Sequence, residues 1–456
     1  MERRNGALAT LDLLSLLNVA YSMKKAFLPL ALFVFCVCAA LQAQTIYYVK
    51  AGPGGGVSDG TSWATAFQTL EEAFAFAVSG QQVWVAAGTY RPTSQDDGFV
   101  MAAGVSLYGG FAGTETALDQ RDPAANPTIL DGDRLGNDTP GTLGVNRSDN
   151  AIHVLQVQVG SGSATKGFAD GFIIQNGHTL TASGSPDFTL RGGGILAVAP
   201  LKVSNCLFRY NRAASGGGIA ALAPDGEGLE VDNCIFEQNE ATSQCAGVFM
   251  RDLNTASVKN STFRNNTTNR GCVYPTNGVN IIVENCLFEN NTAGANFGGG
   301  FFAWQSSYIL RNCTFKNNMA TSAAAIYNDG REGGDFVRIY DCTFDGNTAS
   351  NFGAGFYNWQ GDYEMKRCTF INNTANNAAA IYNDGREFDS EFVIDSCHFE
   401  NNRGLSYGGT GLYAWKSRYT LRNSTFRKNE AASTGAAIYN SDSTQFSIVK
   451  CQFSEG

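Results

Sequence analysis

The feature that most narrows what this chain can become is a Phe-x-x-Asn motif repeated nine times without a break. It reads Phe208/Asn211, Phe236/Asn239, Phe263/Asn266, Phe288/Asn291, Phe315/Asn318, Phe344/Asn347, Phe370/Asn373, Phe399/Asn402 and Phe426/Asn429, at intervals of 25 to 29 residues. Two residues before each Phe stands a small side chain: Cys206, Cys234, Ser261, Cys286, Cys313, Cys342, Cys368, Cys397 or Ser424. Repeats of this length denote stacked units, each covering the apolar face of its neighbour. The Cys-x-Phe spacing puts both side chains on one face of a strand, because strand side chains alternate with period two. A second short apolar run follows each Phe, as in Ala325-Ile326 and Ala380-Ile381, and a third precedes each Cys, as in Tyr308-Ile309-Leu310. No helical period is sustained in the repeats. The pattern therefore predicts an all-β right-handed parallel β-helix of about 27 residues per coil, the hand following from the usual sense of parallel crossovers.

Stacked coils bring equivalent residues about 4.8 Å apart. Phe should pile on Phe inside, and Asn on Asn at a turn, where an amide can both accept and donate to the next coil. Composition agrees with a packed, ordered chain. Of 456 residues 12% are aromatic and only 16% charged, with a net charge of −9. Disorder is thereby disfavoured, and an acidic chain offers no basic surface for nucleic acid.

Met23-Lys24-Lys25, the apolar run Ala26–Leu41 and Gln42-Ala43-Gln44 follow the order of a secretory signal. We expect residues 1–43 to be a leader, with Met23 as the true start, and the mature chain to be exported, monomeric and without a membrane-spanning helix. The expected organisation is an N-terminal cap at 44–80, irregular first coils with loop insertions at 81–200, and regular coils at 201–456. Cys451-Gln452-Phe453 opens a tenth copy that stops short of its Asn, so we expect the regular coils to continue beyond Gly456.

The alternation of Phe-x-x-Asn with Gly-Gly-Ala-Ile-like runs resembles the repeats of polymorphic outer membrane proteins, within the pectin-lyase-like β-helix superfamily. Ile46-Tyr47-Tyr48-Val49, Asp59-Gly60-Thr61-Ser62-Trp63-Ala64, Val83–Tyr90 and Leu107–Phe111 resemble the start of secreted bacterial β-helix proteins, in which Leu70–Ala77 would form a short capping helix. The resemblance implies an extracellular or outer-membrane surface location in a Gram-negative bacterium. It says little about activity, since one fold hosts many functions. The enzymes of the superfamily use clustered calcium-binding Asp with an Arg base, or Asp pairs with Gly-His-Gly and Arg-x-Lys. Here His178 lies in Asn176-Gly177-His178-Thr179 without the second Gly, Asp96-Asp97 sits close to the N-terminal cap, and His153 and His398 have no motif around them.

Aligning coils on the Gly/Ala-rich run gives an alternating column, Trp304, Asp329, Trp359, Asp384, Trp415, Ser441, with a two-coil period of 55 to 57 residues. Two residues earlier runs an aromatic column, Phe302, Tyr327, Tyr357, Tyr382, Tyr413, Tyr439, one residue off the inward position and so expected to face outward. Such rings either stabilise a sheet surface or form an exposed platform for sugar faces or a protein partner. The ligand-binding candidates are Trp304, Trp359, Trp415, Tyr327, Tyr357, Tyr382, Tyr413, Asp329 and Asp384. The two Asn-Asp-Gly-Arg-Glu segments, 328–332 and 383–387, read as turns with Gly at positive φ; two coils apart, their Asp residues cannot share a calcium ion. Most Cys fall in the inward column and read as small apolar packing. Cys245 and Cys272, nine residues after their Phe on successive coils, are the best-placed pair for a disulfide. No metal or other cofactor is expected, as neither a CxxC pair nor a nearby His accompanies them.

These features point to a non-catalytic surface protein of adhesin or glycan-binding type, with glycans or cell-surface proteins as partners. The alternative is a polysaccharide lyase or glycoside hydrolase whose site lies in the irregular coils before Leu201, among the insertions Arg134–Ser148 and Thr179–Arg191.

Overall fold

The computed structural model describes residues 44–52, 58–139, 142, 145–158, 165–179, 187–222, 228–330, 336–386, 390–406, 408–433 and 435–454. The leader therefore lies outside the described residues, as do Arg331, Glu332 and Glu387 of the acidic segments and parts of both insertions. The chain divides into two units, Met1–Thr45 and Ile46–Gly456; of the first, only Gln44 and Thr45 are described, both in irregular backbone.

The second unit is the expected solenoid. Among the described residues four sheets wind along it, which we number I to IV in the order the chain meets them within a coil. Sheet I has 14 strands, from Ile46–Val49 to Gln445–Val449; sheet II has 13, sheet III nine and sheet IV 12. A representative coil runs Ile281–Glu284 in sheet I, Leu287–Glu289 in II, Thr292–Phe297 in III and Phe301–Trp304 in IV. Every named strand pair is parallel and pairs with its sequence equivalent one coil on, so that Phe288 faces Phe315 and Phe315 faces Phe344. One α-helix, Leu70–Phe74, precedes the second strand of sheet I, and Leu70 and Ala73 are buried beneath it. Among the described residues no helix is long and apolar enough to cross a membrane.

The Phe ladder is buried throughout, at 0–2% exposure from Phe208 to Phe426. Successive rings lie 4.3–5.3 Å apart and within 6° of parallel. The Asn ladder is equally buried, from Asn211 to Asn429. Asn318 shows the bonding unit: its backbone N–H and its Nδ2 both donate to Asn347 Oδ1, each at 3.0 Å, and Nδ2 also donates to Phe288 O at 2.9 Å. The same set recurs at Asn239, Asn266, Asn291, Asn347, Asn373 and Asn402. A buried turn thus keeps its amides satisfied with one residue type.

The two end rungs each have a ladder Asn on one side. Asn211 donates upward like the others, from its backbone N–H and Nδ2 to Asn239 Oδ1 at 3.1 Å, and Nδ2 also donates to Ile174 O at 2.9 Å. Below it stands no amide side chain: its Oδ1 accepts the backbone N–H of Gly177 at 3.0 Å, because the preceding coil has glycine at this register. Asn429 is the mirror case. Its Oδ1 accepts both donors of Asn402, at 3.1 and 2.9 Å, and its Nδ2 donates to Phe399 O at 3.0 Å.

Each ladder Asn is preceded by a left-handed residue that makes the corner between sheets II and III: Tyr210, Gln238, Asn265, Asn290, Asn317, Asn372, Asn401 and Lys428 have φ of 50–57°, and Gly346 has 65°. The corner between sheets I and II is one residue in the same conformation just before the Cys column, including Asn205, Asn233, Asn260, Asn285, Asn312 and Asn423, with φ of 49–55°. Asn tolerates this region better than most side chains. The Cys column faces inward, each Sγ donating to a backbone carbonyl such as Arg311 O at 3.3 Å for Cys313.

Cys245 and Cys272 are not bonded to each other. Both are buried free thiols: Cys245 Sγ donates to Cys272 O at 3.0 Å, and Cys272 Sγ to Gly299 O at 3.4 Å. Each therefore reaches to the next coil's backbone rather than to the other sulfur, and burial pushes both thiols above the usual range.

Candidate functional site

The Trp/Asp column forms the last residue of the strands in sheet IV. Trp304, Asp329, Trp359, Asp384 and Trp415 pair one above the next in that order. The three Trp residues are half-buried. The rest of the expected platform is arranged differently from the sequence reading.

The Tyr column does point away from the solenoid lumen, but it is roofed. Tyr327, Tyr357 and Tyr382 are only 2%, 5% and 6% exposed and belong to an exterior apolar cluster with Phe302, Ala323 and Ala378. The roof comes from sheet III. Its strands Thr292–Phe297 and Thr348–Phe352 run longer than neighbours such as Met319–Ala320. Phe297 thereby lies 4.6 Å from the Tyr327 ring, and Phe352 4.8 Å from that of Tyr382. Tyr413 remains half-buried, stacked on Tyr382 at 4.7 Å. Burial raises the phenol pKa of Tyr357 and Tyr382 well above the usual value. These rings build a second core and are not an open sugar platform.

The carboxylates are buried as well, Asp329 at 3% exposure and Asp384 at 0%. Asp384 is shorter than its Trp neighbours and leaves a slot between them, which Arg386 fills. Its Nε donates to Asp384 Oδ1 at 3.1 Å and its Nη2 to Oδ2 at 2.5 Å. Its Cζ lies 5.5 Å from the Trp359 ring centroid and 4.9 Å from that of Trp415. The carboxylate holds Arg386 charged, its pKa raised above the ordinary value. A cation between two indole faces gains quadrupole attraction to both. Arg270 makes a related contact one step along the edge, 5.6 Å from Phe302 and 5.9 Å from Trp304.

The expected glycine turns are also different. Neither Gly330 nor Gly385 has positive φ; the left-handed residues at this register are Gln305, Gln360 and Lys416. The glycines are needed for close approach instead: a Cβ on Gly385 would lie 2.2 Å from Lys416 O, and one on Gly330 2.6 Å from Gly361 Cα.

Sequence reading missed a second inner amide ladder. Asn328 donates to Asn358, Asn358 to Asn383 and Asn383 to Ser417 Oγ, at 2.7–2.9 Å. Its signal was present in the repeated Tyr-Asn pair of Ile326-Tyr-Asn, Phe356-Tyr-Asn and Ile381-Tyr-Asn.

The irregular coils hold a buried polar network. Arg147 and Asp138 have side chains 2% and 5% exposed and approach to 3.6 Å. Arg147 also donates to Tyr210 O at 2.7 Å and Asn176 Oδ1 at 3.1 Å. Asn176 and Arg91 both donate to Asp131, and Asp133 accepts the backbone N–H groups of Asn137 and Asp138. Desolvation raises the pKa of Asp131 and Asp138. Burial likewise lowers His153 and His178 to about 4, their Nδ1 atoms facing Gly192 O and Arg147 O. Among the described residues no group of three or more His, Cys, Asp or Glu is placed to hold a metal ion.

Winding, register and ladders define the class, and comparison with known proteins agrees. The family model for the right-handed β-helix region matches residues 145–318 and 193–375, together about half of the chain. The chain belongs to that family. Two curated proteins of Dictyostelium discoideum are similar in part. Metabotropic glutamate receptor-like protein R is 29% identical over 196 residues, 42% of this chain, and protein Q is 29% identical over 160 residues, 35% of this chain. The matches cover only 10% and 13% of those relatives' length. Among solved structures, the α-1,3-glucanase catalytic unit of Streptomyces thermodiastaticus aligns with TM-score 0.42 and 15% identity, covering 88% of this chain and 68% of that one. The tailspike of Acinetobacter phage vb_AbaP_AS12 aligns at 0.41 and 12%, covering 83% and 59%. The surface adhesin PfbA of Streptococcus pneumoniae aligns at 0.34 and 11%, covering 84% and 86%.

Proposed function

We propose that this chain is an exported, non-catalytic β-helix of adhesin type that binds a glycan along the edge marked by Trp304, Trp359 and Trp415. The observation that carries the reading is their placement. Three half-buried indoles occupy one register position on alternate coils, about 9.6 Å apart at twice the strand spacing, which is close to a disaccharide step. A rigid in-register scaffold holds them without loop ordering, so little conformational entropy is lost on binding. A non-catalytic role is supported by the carboxylates: Asp384 is tied to Arg386, and Asp138 is buried against Arg147.

The test is a polysaccharide screen on the purified protein, scored for affinity and for release of reducing ends or unsaturated uronides. Binding without release, weakened about tenfold in Trp359→Ala or Trp415→Ala as expected for losing one hot-spot contact, supports the reading. Turnover that disappears on changing Asp138 would instead place a lyase or hydrolase site in the irregular coils.

A further inference from the structure

We infer that the ligand carries an anionic group, a carboxylate or a sulfate, that docks on the outward side of Arg386 between Trp359 and Trp415. The inference rests on the glycan-binding reading and names the kind of sugar. The Arg386 side chain is 44% exposed, while that of Asp384 beneath it is 0% exposed. Nε and one Nη2 hydrogen are spent on the carboxylate, so among the described residues Nη1 and the second Nη2 hydrogen remain on the opposite side. The pair therefore offers solvent only donors; its acceptors are sealed below and cannot take a proton from a sugar hydroxyl.

The flanking rings add to this. A neutral sugar stacks its C–H face on an open indole face, but the faces that Trp359 and Trp415 turn toward each other are occupied by the guanidinium. What those rings leave beside it are their edges, the electropositive part of an aromatic quadrupole. A guanidinium with two fixed walls and a fixed partner loses little freedom when a further anion binds, and charge-assisted bonds are the stronger kind. Beyond it, Lys416 on the next coil and Asp442 on the one after are paired with each other at 3.7 Å, and Asp442 also accepts the Trp415 indole N–H at 3.4 Å. The chain's net charge of −9 repels polyanions at long range, so the preference is local and is best read near 0.15 M salt, where the Debye length is about 8 Å.

Affinities for polygalacturonate, heparin and neutral dextran, measured by calorimetry on the wild type, Arg386→Gln and Asp384→Asn with folding followed by circular dichroism, test it. The wild type should prefer a charged polymer, polygalacturonate or heparin showing whether carboxylate or sulfate is the group read. Arg386→Gln should lose about tenfold, the scale of one hydrogen bond to a charged group. Asp384→Asn should tighten anionic binding severalfold, because it frees the guanidinium's charge; a purely structural Arg386–Asp384 pair predicts no gain. Dextran bound as well as the charged polymers, or an Asp384→Asn protein that folds without tighter binding, overturns the inference while leaving glycan binding standing. Binding of none of the three by a folded protein overturns both.

Discussion

The irregular coils up to Arg191 and the regular coils from Leu201 share three continuous parallel sheets, with sheet III starting only at Arg212, yet satisfy their buried polar groups in opposite ways. In the regular coils one neutral amide per turn repeats, each inner rung bonded to its copies above and below. In the irregular coils the buried groups are unlike one another: Asp131, Asp133, Asp138, Arg147, Asn150, His153 and His178. A ladder of identical neutral groups has no charge to desolvate and loses little when one rung is perturbed far away. A network of unlike charges depends on every member, since removing one partner strands another.

This contrast can be broken or sharpened by experiment. The largest effect is expected from Phe315→Ala, at about 3–5 kcal/mol for deleting a buried ring from a close-packed column. Urea unfolding measures it, and a loss under about 1 kcal/mol would mean that the Phe ladder does not hold the regular coils together. Arg147→Ala should reach a similar ~3–5 kcal/mol by leaving Asp138 buried and unpaired, but locally: amide exchange should rise in residues 131–178 and stay unchanged around Phe370. An equal rise in both regions would remove the distinction.

Acid should separate the two regions further. His153 and His178 have folded-state pKa values of about 4 against 6.5, so the folded state binds fewer protons. Their contribution is present above pH 6.5 and is lost as pH falls toward 4, on the order of 3 kcal/mol for each group. Asp131 and Asp138, raised by burial, act in the opposite sense as they take up protons. We expect exchange protection near His153 and His178 to fall first between pH 6.5 and 4.5, with the coils from Cys313 to Phe370 unaffected. The smallest effect is expected from Cys342→Ser, about 1 kcal/mol or less, because a hydroxyl can keep the bond that the thiol makes to Tyr340 O. Ser261 already donates to Lys259 O from the same column. Thermal melting would show it, and a loss comparable to that of Phe315→Ala would mean the column needs sulfur.

The regular coils were legible because their rule is local and repeated. Phe, Asn and Cys at fixed offsets give face, turn and stacking at once, and the structure keeps all three from Asn211 to Asn429. What could not be read was anything set by residues outside the aligned column. The outward direction of Tyr327 and Tyr382 followed from strand alternation, but their roof depends on sheet III running longer at Phe297 and Phe352. Asp384 was placed correctly in the column, whereas its burial comes from Arg386 folding back two residues later. Gly385 looked like a turn residue from its neighbours in sequence; its constraint is the Lys416 carbonyl one coil away. For Cys245 and Cys272, equal offsets gave adjacency but not the direction in which each thiol points. The irregular coils were least legible, since contacts such as Arg147 with Tyr210 join residues that share no motif.

The alternation of large and short side chains along the Trp/Asp column also fixes how this molecule can lengthen or shorten. Excising one turn from this stretch would set like against like, indole on indole with no gap for an arginine or carboxylate on carboxylate, whereas excising two adjacent turns would restore the original sequence of neighbours. Insertions and deletions here should therefore be tolerated in pairs, and the natural quantum of growth for this edge is the double turn.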